Sequence, residues 1–386
     1  MARRARGDEA RAFRSGFACA HRLPTSIFEA RPRSAMPNDA SSRHGTRQRD
    51  CSLVVFGHFE CGEMLAFSDE MTARRRPIIA IVGPTASGKS ALGIEMALRF
   101  NGEIINCDSV QVYREIEIAT AKVPLAERRG VPHHLIDFVP PDVRFTAADW
   151  ARLAAEKIVE IEARGRTVFL VGGTGFYLRA LREPFFESPP TDERLRSRLR
   201  RIKERRGTEH LHRMLRRLDP EAAARLSPRD WPRITRALEV IFQTGRRFSE
   251  QQRERLPPPP FAERIHVFAL DPPRAELYAR IERRTEEHFR AGLVEEVRRL
   301  LARGVPPDSS ALGAHGYRRV VEYLRGERTL ESAIAQTKLD VRHYAKRQWT
   351  WFRREPGVEW IGGFGDDPQV QARLAARIAE LCERAR

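Results

Sequence analysis

The sequence predicts an α/β protein in which a parallel sheet is covered by helices and interrupted by a helical insertion. From residue 77 onwards, continuous apolar runs of the kind found in strands buried on both faces alternate with helical segments. Between residues 184 and 260 this alternation stops, and a strongly basic helical segment lies between Pro189-Pro190 and a run of four prolines. Alternating strands and helices favour a parallel sheet, and the interruption favours an insertion into one core.

Each element is predicted from its own residues. Ile78–Val82 is an uninterrupted apolar run followed by a glycine-rich loop, and Thr146 can cap a helix that stops at Gly165. The predicted strands are 78–82, 103–106, 167–171, 265–270 and 358–361, and the predicted helices of the core are 89–100, 147–163, 274–303 and 329–354.

This order divides the chain into five segments. The segments are an extension at 1–75, the first part of the core at 76–183, the insertion at 184–260, the second part of the core with C-terminal helices at 261–365, and a helical tail at 366–386. The first fifty residues hold eleven Arg, no Lys and five acidic residues, a composition that is typical of an organellar transit peptide. The alternative is a disordered or non-native extension, with the functional protein beginning near Met71.

The chain carries a large excess of positive charge. Lys and Arg number 69 against 52 Asp and Glu, a net charge of +17, and all but six of the 69 are Arg. This excess favours a polyanionic partner, nucleic acid first, because guanidinium groups suit phosphates and bases.

Five scattered cysteines without a C-x-x-C exclude a disulfide scaffold and favour a reducing compartment. No apolar run reaches the roughly 18 residues of a membrane helix, so we expect no membrane partner and a cytoplasmic location, or an organellar one if residues 1–75 are a transit peptide.

A phosphate-binding loop follows the first predicted strand. The segment Gly-Pro-Thr-Ala-Ser-Gly-Lys-Ser matches G-x-x-x-x-G-K-[S/T] and lies between a strand and a helix, as the motif requires. Its backbone N–H groups and the helix N-terminus can bind phosphate oxygens, Lys89 adds a charge, and the Ser90 hydroxyl can ligate Mg²⁺. The motif predicts a core like that of the P-loop nucleoside-triphosphate hydrolases, and it indicates a di- or triphosphate without saying which. The predicted phosphate-binding residues are Gly83, Pro84, Thr85, Ala86, Ser87, Gly88, Lys89 and Ser90.

An acidic residue follows the second predicted strand. The strand at 167–171 ends in Gly-Gly-Thr174-Gly without an acid, whereas Asp108 comes directly after the strand at 103–106. Ligands of open α/β sheets bind at the carboxyl ends of the strands, where the phosphate loop, Asp108 and Thr174 would meet. A carboxylate beside a bound diphosphate can act as a general base. The alternative is a turn residue that caps its own backbone.

Six groups of residues, in this order, closely resemble motifs of the tRNA dimethylallyltransferases. The groups are 83–90, 108–113, 120–122, 172–177, 236–240 and 345–348 with Thr350-Trp351. The resemblance runs from about residue 77 to residue 361 and rests on the motifs jointly. It implies a P-loop-like core with a helical, tRNA-binding insertion.

The resemblance implies transfer of a dimethylallyl group from dimethylallyl diphosphate to N6 of the adenine beside the anticodon, with Mg²⁺ as cofactor. Asp108 matches the family's general base, Thr174 a residue beside the donor phosphates and the tRNA, and Lys89 the lysine of the donor-binding loop. The positions that match tRNA contacts are Asp108, Ser109, Val110, Gln111, Thr174, Arg196, Pro232, Arg233, Ile234, Thr235 and Arg236. The implied partners are dimethylallyl diphosphate and the anticodon stem-loop of tRNA, and we expect a monomer.

Two positions depart from the family's pattern. Gly313 stands three residues before a Gly-Tyr pair, where the family usually has Arg. The phosphate contact of that Arg is then lost, or is supplied by Arg318 or Arg319. Pro232 stands where the family usually has Gln.

Two basic segments predict a surface that follows RNA phosphates. One is the insertion, and the other is a stripe on the helix at 329–354 with basic residues at steps of three and four. The alternative is a solvated helix face. The residues are Arg194, Arg196, Arg198, Arg200, Arg201, Arg233 and Arg236 in the insertion, and Lys338, Arg342, Lys346 and Arg353 in the helix.

Three other functions would share some of these features. A small-molecule kinase would share the phosphate loop, and an adenylate isopentenyltransferase would share the prenyl donor, but neither needs a basic insertion. A nucleotide-switched RNA-binding protein would share the charge without needing Asp108 beside the phosphates. Consumption of ATP would indicate the kinase, and prenylation of AMP would indicate the adenylate isopentenyltransferase. A protein that turns over no donor would be the nucleotide-switched RNA-binding protein.

Overall fold

A six-stranded parallel sheet forms the centre of the described chain. The computed structural model describes residues 76–385, so the interpretations of residues 1–75 lie outside it. The strands are β1 (Ile78–Val82), β2 (Gly102–Asn106), β3 (His133–His134), β4 (Thr167–Val171), β5 (Ile265–Asp271) and β6 (Val358–Gly362). Their order is β3-β2-β4-β1-β5-β6, and neighbouring strands are parallel. The predicted α/β fold class is confirmed, and β3 is too short to leave a periodic signal in the sequence.

Helices cover the sheet and form the insertion. They are α1 (Lys89–Arg99), α2 (Ala147–Ala163), α3 (Gly175–Arg182), α4 (Glu193–Arg206), α5 (Thr208–Leu218), α6 (Pro220–Arg225), α7 (Trp231–Thr244), α8 (Phe248–Arg253), α9 (Arg274–Arg290), α10 (Leu293–Ala302), α11 (Tyr317–Leu324), α12 (Leu330–Phe352) and α13 (Pro368–Arg384). The prediction of one helical stretch at 274–303 is corrected: Gly292, with φ of 99°, separates α9 from α10. None of these helices is long and apolar enough to cross a membrane.

Both faces of the sheet carry an apolar layer. Successive side chains of β1 point to opposite faces: Ile79 and Ile81 pack with α1 and α13, while Ile78 and Val82 pack with α2 and α3. Burial on both faces explains why the strand is apolar at every position.

The insertion, α4 to α8, has an apolar cluster of its own. Asp192, Asp219 and Asp230 accept backbone N–H groups at the starts of α4, α6 and α7, which stabilises these helix ends. The buried members of the cluster include Leu199, Leu211, Leu215, Ile234 and Leu238. This framework carries the arginines of the insertion.

Candidate active site

The phosphate loop connects β1 to α1 in a conformation that requires glycine. Gly83 and Gly88 have φ of 136° and 85°, which L-residues rarely adopt. A side chain at Gly88 would also lie 2.9 Å from the Asp366 carboxylate. The Ser87 hydroxyl is buried and has no hydrogen-bond partner among the described residues.

Lys89, at the start of α1, is a desolvated cation. Its Nζ donates to the Pro84 carbonyl at 2.6 Å. Desolvation lowers the pKa of Lys89 from 10.5 to about 8; attraction by Asp108 opposes this shift, and repulsion by Arg284 adds to it. An anion bound in the loop would favour the charged form of this side chain.

Two side chains from distant helices hold the loop in place. Arg284 of α9 donates to Thr85 Oγ1 at 2.7 Å, and Gln348 of α12 accepts the Thr85 N–H at 2.7 Å. Gln348 Nε2 also donates to the Gly173 carbonyl at 2.9 Å, which ties the loop to the end of β4. Arg284 was missed by the sequence reasoning, since no motif surrounds it and its partner lies 199 residues away.

Asp108 and Thr174 lie at the ends of adjacent strands, as predicted. Asp108 Oδ1 accepts the Val110 N–H at 2.9 Å and lies 3.4 Å from the Gln111 nitrogen, so the residue does cap its own turn. Its Oδ2 accepts no hydrogen bond from the described residues. Thr174 Oγ1 accepts the Ser109 N–H at 3.0 Å. Turn capping therefore leaves one carboxylate oxygen available for chemistry.

Two cavities meet at Asp108. The first, which we call the phosphate cavity, has a volume of about 420 Å³ and contains the side chains of Lys89, Ser90 and Arg284 in its walls. The second, which we call the apolar cavity, has a volume of about 460 Å³. Residues that line both cavities are Thr85, Asp108, Thr120 and Arg284.

The walls of the two cavities differ in character. Arg280, Arg283 and Arg284 of α9 line the phosphate cavity with Lys89; Arg280 pairs with Asp366 and Arg283 with Glu287, which leaves Lys89 and Arg284 for an anion. The apolar cavity is lined mainly by aromatic and aliphatic side chains, including Tyr113, Phe145, Tyr177, Phe289 and Leu293. Burial lowers the pKa of its two histidines, His288 (to about 4) and His315, so both are neutral at neutral pH. The pair of cavities fits a molecule with an anionic head and a hydrocarbon tail, with the junction beside Asp108.

A third cavity, which we call the cationic cavity, lies between α3, α7 and α12. It has a volume of about 570 Å³, and no acidic side chain lines it. The Arg179 guanidinium lies 4.4 Å from the centre of the Trp351 ring. The lining residues are Arg179, Arg233, His343, Lys346, Arg347, Thr350, Trp351 and Arg354.

The predicted basic stripe on α12 does not stay on one surface. Lys338 and Arg342 form ion pairs with Glu286 and Glu282 of α9, whereas Lys346 lines the cationic cavity. Each step of four residues turns a helix about 40° past a full turn, so a stripe of this kind drifts around the helix. The cations at 338 and 342 therefore contribute to packing between α9 and α12.

The arginines of the insertion also divide into two groups. Arg196 donates to the fully buried Glu239 through two bonds of 3.1 and 3.0 Å, and Arg236 donates to the same carboxylate at 2.8 Å. Burial by itself raises the pKa of Glu239. The hydrogen bonds from the two arginines lower the pKa by more, so it lies below its ordinary value. Arg233 also forms an ion pair, with Asp230 at 3.2 Å, but its side chain is 72% exposed. Ile234 and Thr235 are buried in the insertion.

The remaining predicted positions are placed as follows. Ser109, Val110 and Gly313 line the apolar cavity, and Ala86 and Gln111 line the phosphate cavity. Pro232 is exposed on α7. Arg318 and Arg319, considered above as substitutes for an arginine at 313, pair with Glu322 and Asp340 and line none of the three cavities. No cluster of three or more His, Cys, Asp or Glu able to hold a metal ion occurs between residues 76 and 385.

Comparisons with known proteins agree with this geometry. A family model described as IPP transferase matches residues 111–355. A tRNA dimethylallyltransferase of Solibacter usitatus is 47% identical over 79% of this chain and 99% of the relative, and one of Koribacter versatilis is 48% identical over 76% and 95%.

Solved structures with the same fold are also found. The crystal structure of the full-length tRNA isopentenylpyrophosphate transferase from Bacillus halodurans has a TM-score of 0.60 at 39% identity, covering 81% of this chain and 98% of that one. A eukaryotic dimethylallyltransferase, described in crystallographic snapshots as acting on tRNA, has a TM-score of 0.64 at 28% identity, covering 79% and 78%.

Proposed function

Because the chain belongs to the IPP transferase family, together with the tRNA dimethylallyltransferases, we propose that it transfers a dimethylallyl group from dimethylallyl diphosphate to N6 of the adenine beside the anticodon of tRNA. The observation that carries the proposal is the position of Asp108 where the phosphate cavity meets the apolar cavity. A prenyl diphosphate bound across this junction has its reacting carbon beside that carboxylate. We further propose that the enzyme is a monomer and that it acts in the cytoplasm.

The phosphate cavity binds and activates the donor. Backbone N–H groups of residues 86–90, together with Lys89 and Arg284, stabilise the negative charge that develops on the diphosphate as the bond between its oxygen and the allylic carbon breaks. Ser90 lines this cavity and would hold Mg²⁺, with the remaining oxygen ligands supplied by the diphosphate and water. When bound, Mg²⁺ offsets part of the charge on the leaving diphosphate.

Prenyl transfer takes place beside Asp108, where the phosphate cavity meets the apolar cavity. The N6 nitrogen forms a bond to the allylic carbon, diphosphate leaves, and the proton released from N6 passes to the Oδ2 atom of Asp108. The aromatic and aliphatic residues of the apolar cavity would limit the access of water, which hydrolyses an allylic cation. The adenine must leave its stack to reach this depth, as in enzymes that flip their target base.

The surface beside the apolar cavity suits single-stranded RNA. Phe176 lines the apolar cavity and also a larger neighbouring cavity of about 750 Å³ between α2, α3 and the insertion. Phe185, Phe186 and Phe248 line that neighbouring cavity together with Arg233, which it shares with the cationic cavity. Aromatic faces beside arginines support binding of unstacked bases and their phosphates.

The proposal is tested by product analysis. The protein is incubated with dimethylallyl diphosphate, Mg²⁺ and unmodified tRNA, and the tRNA is digested to nucleosides. We expect N6-dimethylallyladenosine from tRNA and no comparable product from AMP. Efficient prenylation of AMP would instead identify an adenylate isopentenyltransferase, and consumption of ATP with a small-molecule acceptor would identify a kinase.

The cationic cavity yields a prediction for tRNA affinity. Replacing Arg233, Lys346 and Arg354 together by alanine should weaken tRNA binding at least tenfold. It should also flatten the slope of log K against log[salt] by about 2, since each lost phosphate contact removes about 0.7–0.9 from the slope. Binding isotherms at several salt concentrations measure both quantities.

A matched triple variant removes the same charge elsewhere. Arg290, Arg298 and Arg325 are exposed, pair with neighbouring glutamates and line none of the cavities described above. Their replacement by alanine should leave the slope within about 0.5 of the wild-type value, since no phosphate contact is lost. Equal slopes for the two triple variants would show that the cationic cavity does not contact the RNA backbone.

A further inference from the structure

The loop at residues 115–122, which we call the wall loop, contributes residues to the walls of both cavities. Ala119 lines the apolar cavity, Ala121 lines the phosphate cavity, and Thr120 lines both. Glu115 and Ala121 have φ of 65° and 52°, a left-handed conformation that costs L-residues free energy. Contacts from outside the loop must therefore hold it in this shape.

Two buried side chains supply those contacts. Glu296 of α10 accepts the Glu117 N–H at 3.1 Å and the Ile118 N–H at 3.3 Å. The Tyr317 oxygen, at the start of α11, accepts the Ala119 N–H at 3.2 Å, and its hydroxyl donates to Glu296 at 2.6 Å. Three consecutive N–H groups of the wall loop are thus bound by one carboxylate–phenol pair.

Glu296 and Tyr317 are both buried, and the Glu296 carboxylate accepts hydrogen bonds from the wall loop and from the Tyr317 hydroxyl. Glu296 is 3% exposed and Tyr317 0%, and no cation within residues 76–385 pairs with Glu296. Burial and the neighbouring Glu296 carboxylate both raise the pKa of Tyr317, which keeps its hydroxyl protonated as the donor to Glu296. A carboxylate can accept several hydrogen bonds through two oxygens, whereas an amide has one accepting oxygen and a competing NH₂ group.

The wall loop is connected in turn to the site of reaction. Gln111 Nε2 donates to the carbonyls of Thr120 and Ala121 at 3.1 and 3.2 Å. The backbone nitrogen of Gln111 lies 3.4 Å from Asp108 Oδ1, in the turn that orients this carboxylate. A displacement of the wall loop is therefore transmitted through Gln111 to Asp108.

We propose that Glu296 and Tyr317 are positioning residues for prenyl transfer, because they hold the wall loop and, through Gln111, orient Asp108 toward the acceptor. This inference rests on the function proposed above. Neither residue lines the phosphate cavity, so neither contacts a donor bound by the phosphate loop. A misplacement of about 1 Å can lower a catalysed rate by about 10²-fold without loss of binding.

The test separates the chemical step from binding. Single-turnover rates at saturating tRNA and donor are measured for Glu296→Gln and Tyr317→Phe, together with equilibrium Kd values for both substrates. We expect the rate to fall about 10- to 100-fold, with both Kd values within about threefold of wild type. Tyr317→Phe keeps the Glu296 carboxylate in place and decides the question if Glu296→Gln does not fold.

Asp219→Asn provides a matched control. Asp219 is likewise fully buried and accepts the N–H groups of Ala222 and Ser249, but it lies in the insertion and lines none of the cavities. Its replacement should lower Tm and leave the single-turnover rate of the folded enzyme unchanged. The inference would be overturned if Glu296→Gln and Tyr317→Phe both kept the wild-type rate, or if their Kd values rose in step with the loss of rate. Either result would leave the proposed function standing. A wild-type enzyme that transfers no prenyl group to tRNA would overturn the proposed function and this inference with it.

Discussion

Replacing Asp108 by alanine is expected to lower kcat for prenyl transfer to tRNA by about 10²- to 10⁴-fold, the usual effect of removing a general base. The tRNA Kd should stay within about threefold, since the cationic cavity does not include this residue. The physical reason is the position of Oδ2, which accepts no hydrogen bond from the described residues and lies where the phosphate cavity meets the apolar cavity. Single-turnover kinetics and tRNA binding isotherms measure the two quantities.

Asp108→Asn separates proton transfer from turn capping. Asparagine can still accept the Val110 N–H through its side-chain oxygen, so it preserves the local turn, but it cannot take a proton at neutral pH. We expect Asp108→Asn to be as slow as Asp108→Ala. Near wild-type turnover of the asparagine variant would show that the carboxyl group is needed for the turn alone.

Replacing Lys89 by alanine is expected to raise the KM for dimethylallyl diphosphate by about 10- to 100-fold, and to slow single-turnover transfer. A hydrogen bond to a charged group contributes about 1.5–3 kcal/mol, and this side chain meets the diphosphate inside a desolvated loop. Lys157→Ala is the matched control, because Lys157 lies on α2 and pairs with Glu160 far from the loop. Equal donor KM values for the two variants would place the diphosphate elsewhere.

The lowered pKa of Lys89 adds a pH dependence to this prediction. Its pKa of about 8 means that the amine of the free enzyme is charged below pH 8 and loses its proton as the pH rises through that value. Donor affinity of the wild type should therefore fall above pH 8, since the cation that attracts the diphosphate is lost. The Kd of Lys89→Ala should not show this change. A flat profile for the wild type between pH 7 and 9 would contradict the assignment.

Local sequence determined the backbone features of this protein. The apolar run of β1, the glycines of the phosphate loop and the Thr146 cap of α2 each depend on residues within a few positions of one another. Asp108 and Thr174 could be placed together because parallel strands bring their carboxyl ends to one edge of the sheet. Five of the six strands, the phosphate loop and the meeting of these two residues of the candidate site were therefore predictable from the sequence.

Tertiary structure decided which charged side chains are available to a substrate. Composition alone does not distinguish Arg233, which is exposed, from Arg196, which is bound to the buried Glu239. Likewise Arg342 packs against Glu282 of α9, while Arg347 lines the cationic cavity. Each outcome depends on which side chain of another helix lies opposite, and this is determined by how the helices pack.

The long-range contacts that support the site could not be predicted from the sequence. Arg284 contacts Thr85 across 199 residues of chain, Gln348 contacts Thr85 across 263, and Glu296 contacts the wall loop across 179. A local pattern records the helix or turn that a residue occupies, because backbone hydrogen bonds and side-chain periodicity act over a few residues. The partner of a buried polar side chain is set instead by the packing of whole helices against the sheet, and only the folded chain shows it.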